Sequence, residues 1–89
     1  MIERELTVSN RLGLHARATA KLVQVLAAFR SSVTLTAKGR EINAKSIMGV
    51  MLLAAGQGTP VRLRVEGEDE IAAADAVIDL FDRRFDEDS

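Results

Sequence analysis

Val33-Thr34-Leu35-Thr36-Ala37-Lys38-Gly39-Arg40-Glu41-Ile42 decides the architecture of this 89-residue chain. Val33, Leu35 and Ala37 alternate with Thr34 and Thr36, the period-two pattern of a strand with one dry face and one wet face. Lys38-Gly39-Arg40-Glu41 then reads as a hairpin turn into a short strand around Ile42. A hairpin with a single apolar face needs a second layer over that face, and helices are the usual cover.

The flanking segments supply both layers. On the amino side, Ile2 to Val8 alternates as a half-buried strand, and Ser9-Asn10-Arg11-Leu12-Gly13 is a turn-rich connection. Ala16 to Arg30 carries Leu22, Val23, Leu26 and Phe29 at helical spacing and ends at Ser31-Ser32. On the carboxyl side, Ser46 to Ala54 predicts a short helix with Ser46 as its N-cap, stopped by Gly56 and Gly58. Pro60 opens a fourth strand in which Val61, Leu63 and Val65 alternate with Arg62 and Arg64. Ile71, Ala74, Ile78, Phe81 and Phe85 mark a last amphipathic helix, with acids in its first turn and Arg83-Arg84 near its end. Residues 86–89 form an acidic tail expected to fray. The order βαββαβα predicts an α/β (α+β) two-layer, open-faced sandwich, one domain over residues 1–89.

Composition narrows the chemistry. The chain has no cysteine, which removes disulfides and thiolate metal sites, and its one histidine makes a metal cluster unexpected. No cofactor is called for. The longest apolar run, Ile47 to Ala55, falls far short of the ~20 residues of a membrane span, and the charged start is unlike a signal peptide, so a cytoplasmic location is expected. The three phenylalanines fall in predicted helices, leaving the sheet without stacking residues for nucleic acid. The net charge of -1 hides a division: Met1 to Val65 holds ten Lys or Arg against three acids, Glu66 to Ser89 ten acids against two Arg. The basic part can steer an acidic partner, and it can equally serve solubility alone.

Gly13-Leu14-His15-Ala16-Arg17 sits where the first loop becomes the first helix. The opening backbone N–H groups of a helix lack internal partners and carry partial positive charge, which suits an anion. Arg17 adds a planar cation in the first turn and Lys21 a second one turn on, while the same positive end disfavours imidazolium and favours a neutral, nucleophilic ring at His15. Such a ring can accept a phosphoryl group. On chemistry alone, that role and a plain helix cap stand equal.

The segment resembles the active-site motif of the HPr family, the histidine-containing phosphocarriers of the bacterial phosphoenolpyruvate-dependent phosphotransferase system. Lys45-Ser46-Ile47-Met48-Gly49-Val50-Met51 is similar to that family's regulatory-serine region, and length and element order agree across nearly the whole chain. The resemblance implies a four-stranded antiparallel sheet of order 1-4-2-3 with three helices on one face. It implies a carrier rather than a turnover enzyme, with His15 phosphorylated on Nδ1 and Arg17 assisting the phosphoryl group. Enzyme I would be the donor and enzyme IIA domains, which serve sugar transport or its regulation, the acceptors. Ala18 stands where the family often has Pro, and as a strong helix former it is expected to preserve the site.

Ser46 is thus a cap on its own reading and, by resemblance, a substrate of HPr kinase/phosphorylase, where phosphate would place about two negative charges on a basic docking face. The helix it starts is apolar nearly all round, too much for one sheet to cover. Val50, Leu53 and Ala54 fit the core side, leaving Ile47, Met48 and Met51 as a docking patch, with Lys21 and Lys45 as its basic members. The chain is expected to act as a monomer. The alternative function is an HPr-like regulatory binding module in a system not devoted to sugar uptake.

Overall fold

Pro60–Glu66 (β4) runs through the middle of the sheet and decides how the rest assembles. The computed structural model describes residues 1–87. Among them, β1 (Ile2–Thr7) pairs with one edge of β4 and β2 (Ser32–Ala37) with the other, and β3 (Arg40–Asn43) closes the antiparallel order β1-β4-β2-β3. The registers Ile2↔Val65, Leu6↔Val61, Val33↔Val65 and Leu35↔Leu63 place apolar side chains of three strands on one face. Val33, Leu35, Val61, Leu63 and Val65 are all buried there. The other face is wet: Glu5 lies opposite Arg62 and accepts from its Nη2 at 3.0 Å, an exposed pair worth ~0–1 kcal/mol. Lys38 and Gly39 connect β2 to β3 with φ of 53° and 76°, the two positive values a tight two-residue hairpin turn needs.

Three helices cover the apolar face: α1 (Ala16–Leu26), α2 (Ile47–Leu52) and α3 (Glu70–Asp82). Each is shorter than its sequence pattern. α1 stops at Leu26 rather than Arg30 because distant side chains take over the backbone beyond it. Asp69 accepts from the amides of Arg30 and Ser31, each at 2.9 Å, and Lys45 Nζ donates to the Phe29 carbonyl at 2.6 Å. The terminal carbonyls of Val23, Val25 and Leu26 are met by the Ala27, Ala28 and Phe29 amides, while Asp69 and Lys45 take the groups beyond that would otherwise carry the helix on. α2 ends before Ala54, whose φ of 49° turns the chain over. Val50 and Leu53 are in the core as expected, but Ala54 is exposed and Ala55 is buried in its place.

α3 corrects the sequence reading twice. Its buried stripe is Ala73, Ala74, Val77, Leu80 and Phe81, whereas Ile71 is 69% exposed. Two apolar stripes overlap on this alanine-rich helix, and packing selects the one whose small residues let it approach the sheet. Phe85 also lies outside the helix. Arg84, Phe85 and Asp86 form a short turn with φ of 54°, 55° and 63°, so the chain reverses and Phe85 drops into the core against Phe81, ring centroids 5.1 Å apart. Glu70 supplies the first-turn acid, while Arg83 and Arg84 fall beyond the last turn. Asp86 and Glu87, expected to fray, hold defined contacts; residues 88 and 89 of the expected tail lie outside the described residues.

Candidate phosphoryl-accepting site

The site begins with a turn that only glycine fits. Gly13 has φ +67°, and a Cβ there would lie 2.4 Å from the Ala55 carbonyl oxygen and 2.7 Å from Gly56 Cα. That contact brings the 10–14 loop against the chain leaving α2, where the Leu14 amide donates to the Ala55 carbonyl at 2.9 Å. Thr19, buried in α1, donates its hydroxyl to the Leu14 carbonyl at 3.1 Å. Leu14 is therefore pinned from both sides, and His15 follows as the N-cap of α1.

His15 is extended at φ -74°, ψ -179°, and its Nδ1 accepts from the Arg17 amide at 3.3 Å. A nitrogen that accepts carries no proton, so the network assigns the ring proton to Nε2. Nε2 lies 2.5 Å from a Glu87 carboxylate oxygen. The side chain is 28% exposed, reachable but held. The ring thus presents Nδ1 to the positive end of a helix, as the sequence reading requires. Arg17, in the first turn, is exposed on the same end.

Several partners of this arrangement are absent from the sequence reading. Asn10 is fully buried, and its amide nitrogen donates to the Gly13 carbonyl at 2.7 Å and to Glu87 at 3.0 Å. Burial works to raise the Glu87 carboxyl, but the hydrogen bonds from Asn10 and His15, with the charge of Arg17, outweigh it and hold it below the ordinary carboxylate value. Lys21 Nζ donates to the Phe85 carbonyl at 3.0 Å and to Asp86 at 3.2 Å. Arg17, Lys21, Asp86 and Glu87 line an open cleft of about 440 Å³. Phe85, four residues after Phe81, was the one sequence sign that the chain still packs this late.

Ser46 caps α2, its hydroxyl accepting from the Gly49 amide at 3.1 Å. Ile47, Met48 and Met51 are exposed, Met48 by 73%, and Leu12 and Leu52, outside the expected patch, are exposed as well. Lys45, through Phe29, is tied into the fold as Lys21 is.

The family model described as the PTS HPr component phosphorylation site matches residues 2–83. The chain belongs to the HPr family. A phosphocarrier protein HPr from Xylella fastidiosa (strain Temecula1) is 65% identical over 89 residues, covering all of both chains. The solved HPr-C-His of Thermoanaerobacter tengcongensis superposes with a TM-score of 0.96 at 40% identity, covering all of both chains. An HPr dimer from the same organism matches with a TM-score of 0.78 at 41% identity, over 98% of this chain and all of that one. The family fold and the sheet order β1-β4-β2-β3 agree. Among the described residues, no helix is long and apolar enough to cross a membrane.

Proposed function

We propose that the protein accepts a phosphoryl group on Nδ1 of His15 from phosphorylated enzyme I and passes it to enzyme IIA domains of a sugar phosphotransferase system. The observation that carries this reading is the unprotonated Nδ1 at the open amino end of α1, 3.3 Å from the Arg17 amide. Its lone pair gives up the long Arg17 amide contact and attacks phosphorus as the donor's bond to phosphorus breaks, with that electron pair remaining on the donor and the Arg17 amide released to a phosphoryl oxygen. The new phosphoryl oxygens meet the amides of the first helical turn and the Arg17 guanidinium, which stabilise their charge. An acceptor with a better-placed nucleophile reverses the step. The chain is then unchanged and acts as a carrier in the cytoplasm.

The exposed Ile47, Met48 and Met51 support this region as the surface that meets both partners. Ser46 at the start of α2 supports a regulatory role: phosphorylation by HPr kinase/phosphorylase would set negative charge beside that surface and weaken acidic partners. Incubation with phosphoenolpyruvate and enzyme I, followed by intact-mass measurement, tests the central claim. One acid-labile phosphate, absent in His15→Ala, is expected. A wild-type protein that stays unmodified, or a His15→Ala variant that still gains the group, overturns it.

A further inference from the structure

We propose that Glu87 is a positioning residue for His15, its carboxylate keeping the ring proton on Nε2 and the Nδ1 lone pair turned to the amino end of α1. This rests on the carrier reading and adds to it a role for the end of the chain. The ring is held at both nitrogens, by the Arg17 amide at 3.3 Å and by Glu87 at 2.5 Å. Two contacts on opposite edges fix both its rotation and its tautomer, as the buried aspartate does for the histidine of a serine-protease triad.

The carboxylate is itself placed by construction. Asn10, buried and bonded to the Gly13 carbonyl, presents its second amide proton to Glu87 at 3.0 Å. The chain reaches this point through Arg84, Phe85 and Asp86, three consecutive non-glycine residues at positive φ. Each costs ~1–2 kcal/mol, and such a run persists only where its surroundings determine it. Here the buried Phe85 side chain and the Lys21 bonds to the Phe85 carbonyl and Asp86 hold the turn. The strap thereby brings the Glu87 carboxylate to His15 Nε2.

Glu87 does not block the reaction, because it meets Nε2 and leaves Nδ1 to the donor. When Nδ1 bonds to phosphorus, the donor's bond breaks with its pair on the donor and the ring gains one positive charge. No proton moves. The Nε2 proton stays opposite the carboxylate, which stabilises that charge; the charge is lost again on donation to the acceptor. The titratable ring of His15 meets the carboxylate directly; the charged group near it is Arg17, with Lys21 and Asp86 along the same cleft.

The test is ¹⁵N NMR of the His15 ring in the full chain without a donor, paired with the rate of phosphoryl uptake from phosphoenolpyruvate and enzyme I. Wild type is expected to show a single Nε2–H tautomer. Glu87→Ala, its fold checked by circular dichroism, is expected to mix tautomers and to lose about tenfold in rate, the low end of what an orienting partner contributes. Glu87→Gln keeps an acceptor oxygen and should recover the tautomer and part of the rate, which a merely structural role would not predict. Glu87→Ala with wild-type ring signals, or with faster uptake than wild type, overturns the proposal. A wild-type chain that takes no phosphate at all sinks the carrier reading instead, and the ring spectra still decide the placement of Glu87.

Discussion

Replacing Gly13 by alanine is expected to destabilise the protein severely, and the cost can be worked from two separable terms. The first is conformational: at φ +67° an L-residue pays ~1–2 kcal/mol that glycine does not. The second is steric. The added Cβ would stand 2.4 Å from the Ala55 carbonyl oxygen and 2.7 Å from Gly56 Cα, both backbone atoms with no rotamer to change. The 10–14 loop must retreat from the chain after α2, stretching or breaking the Leu14 amide bond to Ala55. With the steric part at ~1–3 kcal/mol, as for overpacked sites, the total is about 2–5 kcal/mol. For a domain of this size that lowers Tm by roughly 8–40 °C, at ~4–8 °C per kcal/mol. Gly39→Ala is the internal control: its φ is +76° but nothing lies within 4 Å, so only the conformational term applies. Urea denaturation of both variants measures the difference. Should Gly13→Ala lose no more than Gly39→Ala, the close approach is not what holds the loop, and the account of how His15 is placed fails with it.

Three further outcomes follow from other contacts. Hydrogen bonds from the Ser31 hydroxyl and the Arg30 and Ser31 amides, working against burial, hold the Asp69 carboxyl at about 2 instead of 3.8. Its folded-state value is depressed, so its contribution is complete above 3.8 and disappears as pH falls through about 2. Asp69→Asn should therefore flatten the acid limb of a stability–pH curve measured by urea unfolding, and an unchanged limb would refute the assignment. Ser46→Ala should cost ~1 kcal/mol through the lost cap on the Gly49 amide, whereas Ser46→Asp should keep the cap and slow phosphoryl uptake; equal thermal stability of wild type and Ser46→Ala would argue against the cap. Met51→Asp, on an exposed face, should slow uptake about tenfold, equivalent to ~1.4 kcal/mol of docking energy, with Tm unmoved; undiminished uptake would remove this residue from the docking surface.

Local pattern was enough for most of the fold. Alternation in Val33 to Ala37 and Val61 to Val65, the Lys38-Gly39 turn and the 3.6-residue period of Leu22 and Leu26 each depend on neighbours in the chain, so they are written in it. His15 at the start of a helix was legible for the same reason, since a cap is local. What the sequence did not disclose depends on residues far apart. α1 ends early because Asp69 and Lys45 take the backbone groups of residues 29–31 that would have continued it, and which stripe of α3 turns inward is chosen by the sheet it meets. Glu87 reaches His15, 72 positions earlier, only after three left-handed residues reverse the chain around a buried Phe85. Hydrophobic period and capping chemistry act over a few residues and fixed the elements. Distant hydrogen-bonding groups and long-range apolar packing act only once the chain has closed, and together they decided where α1 and α3 stop and what surrounds the imidazole.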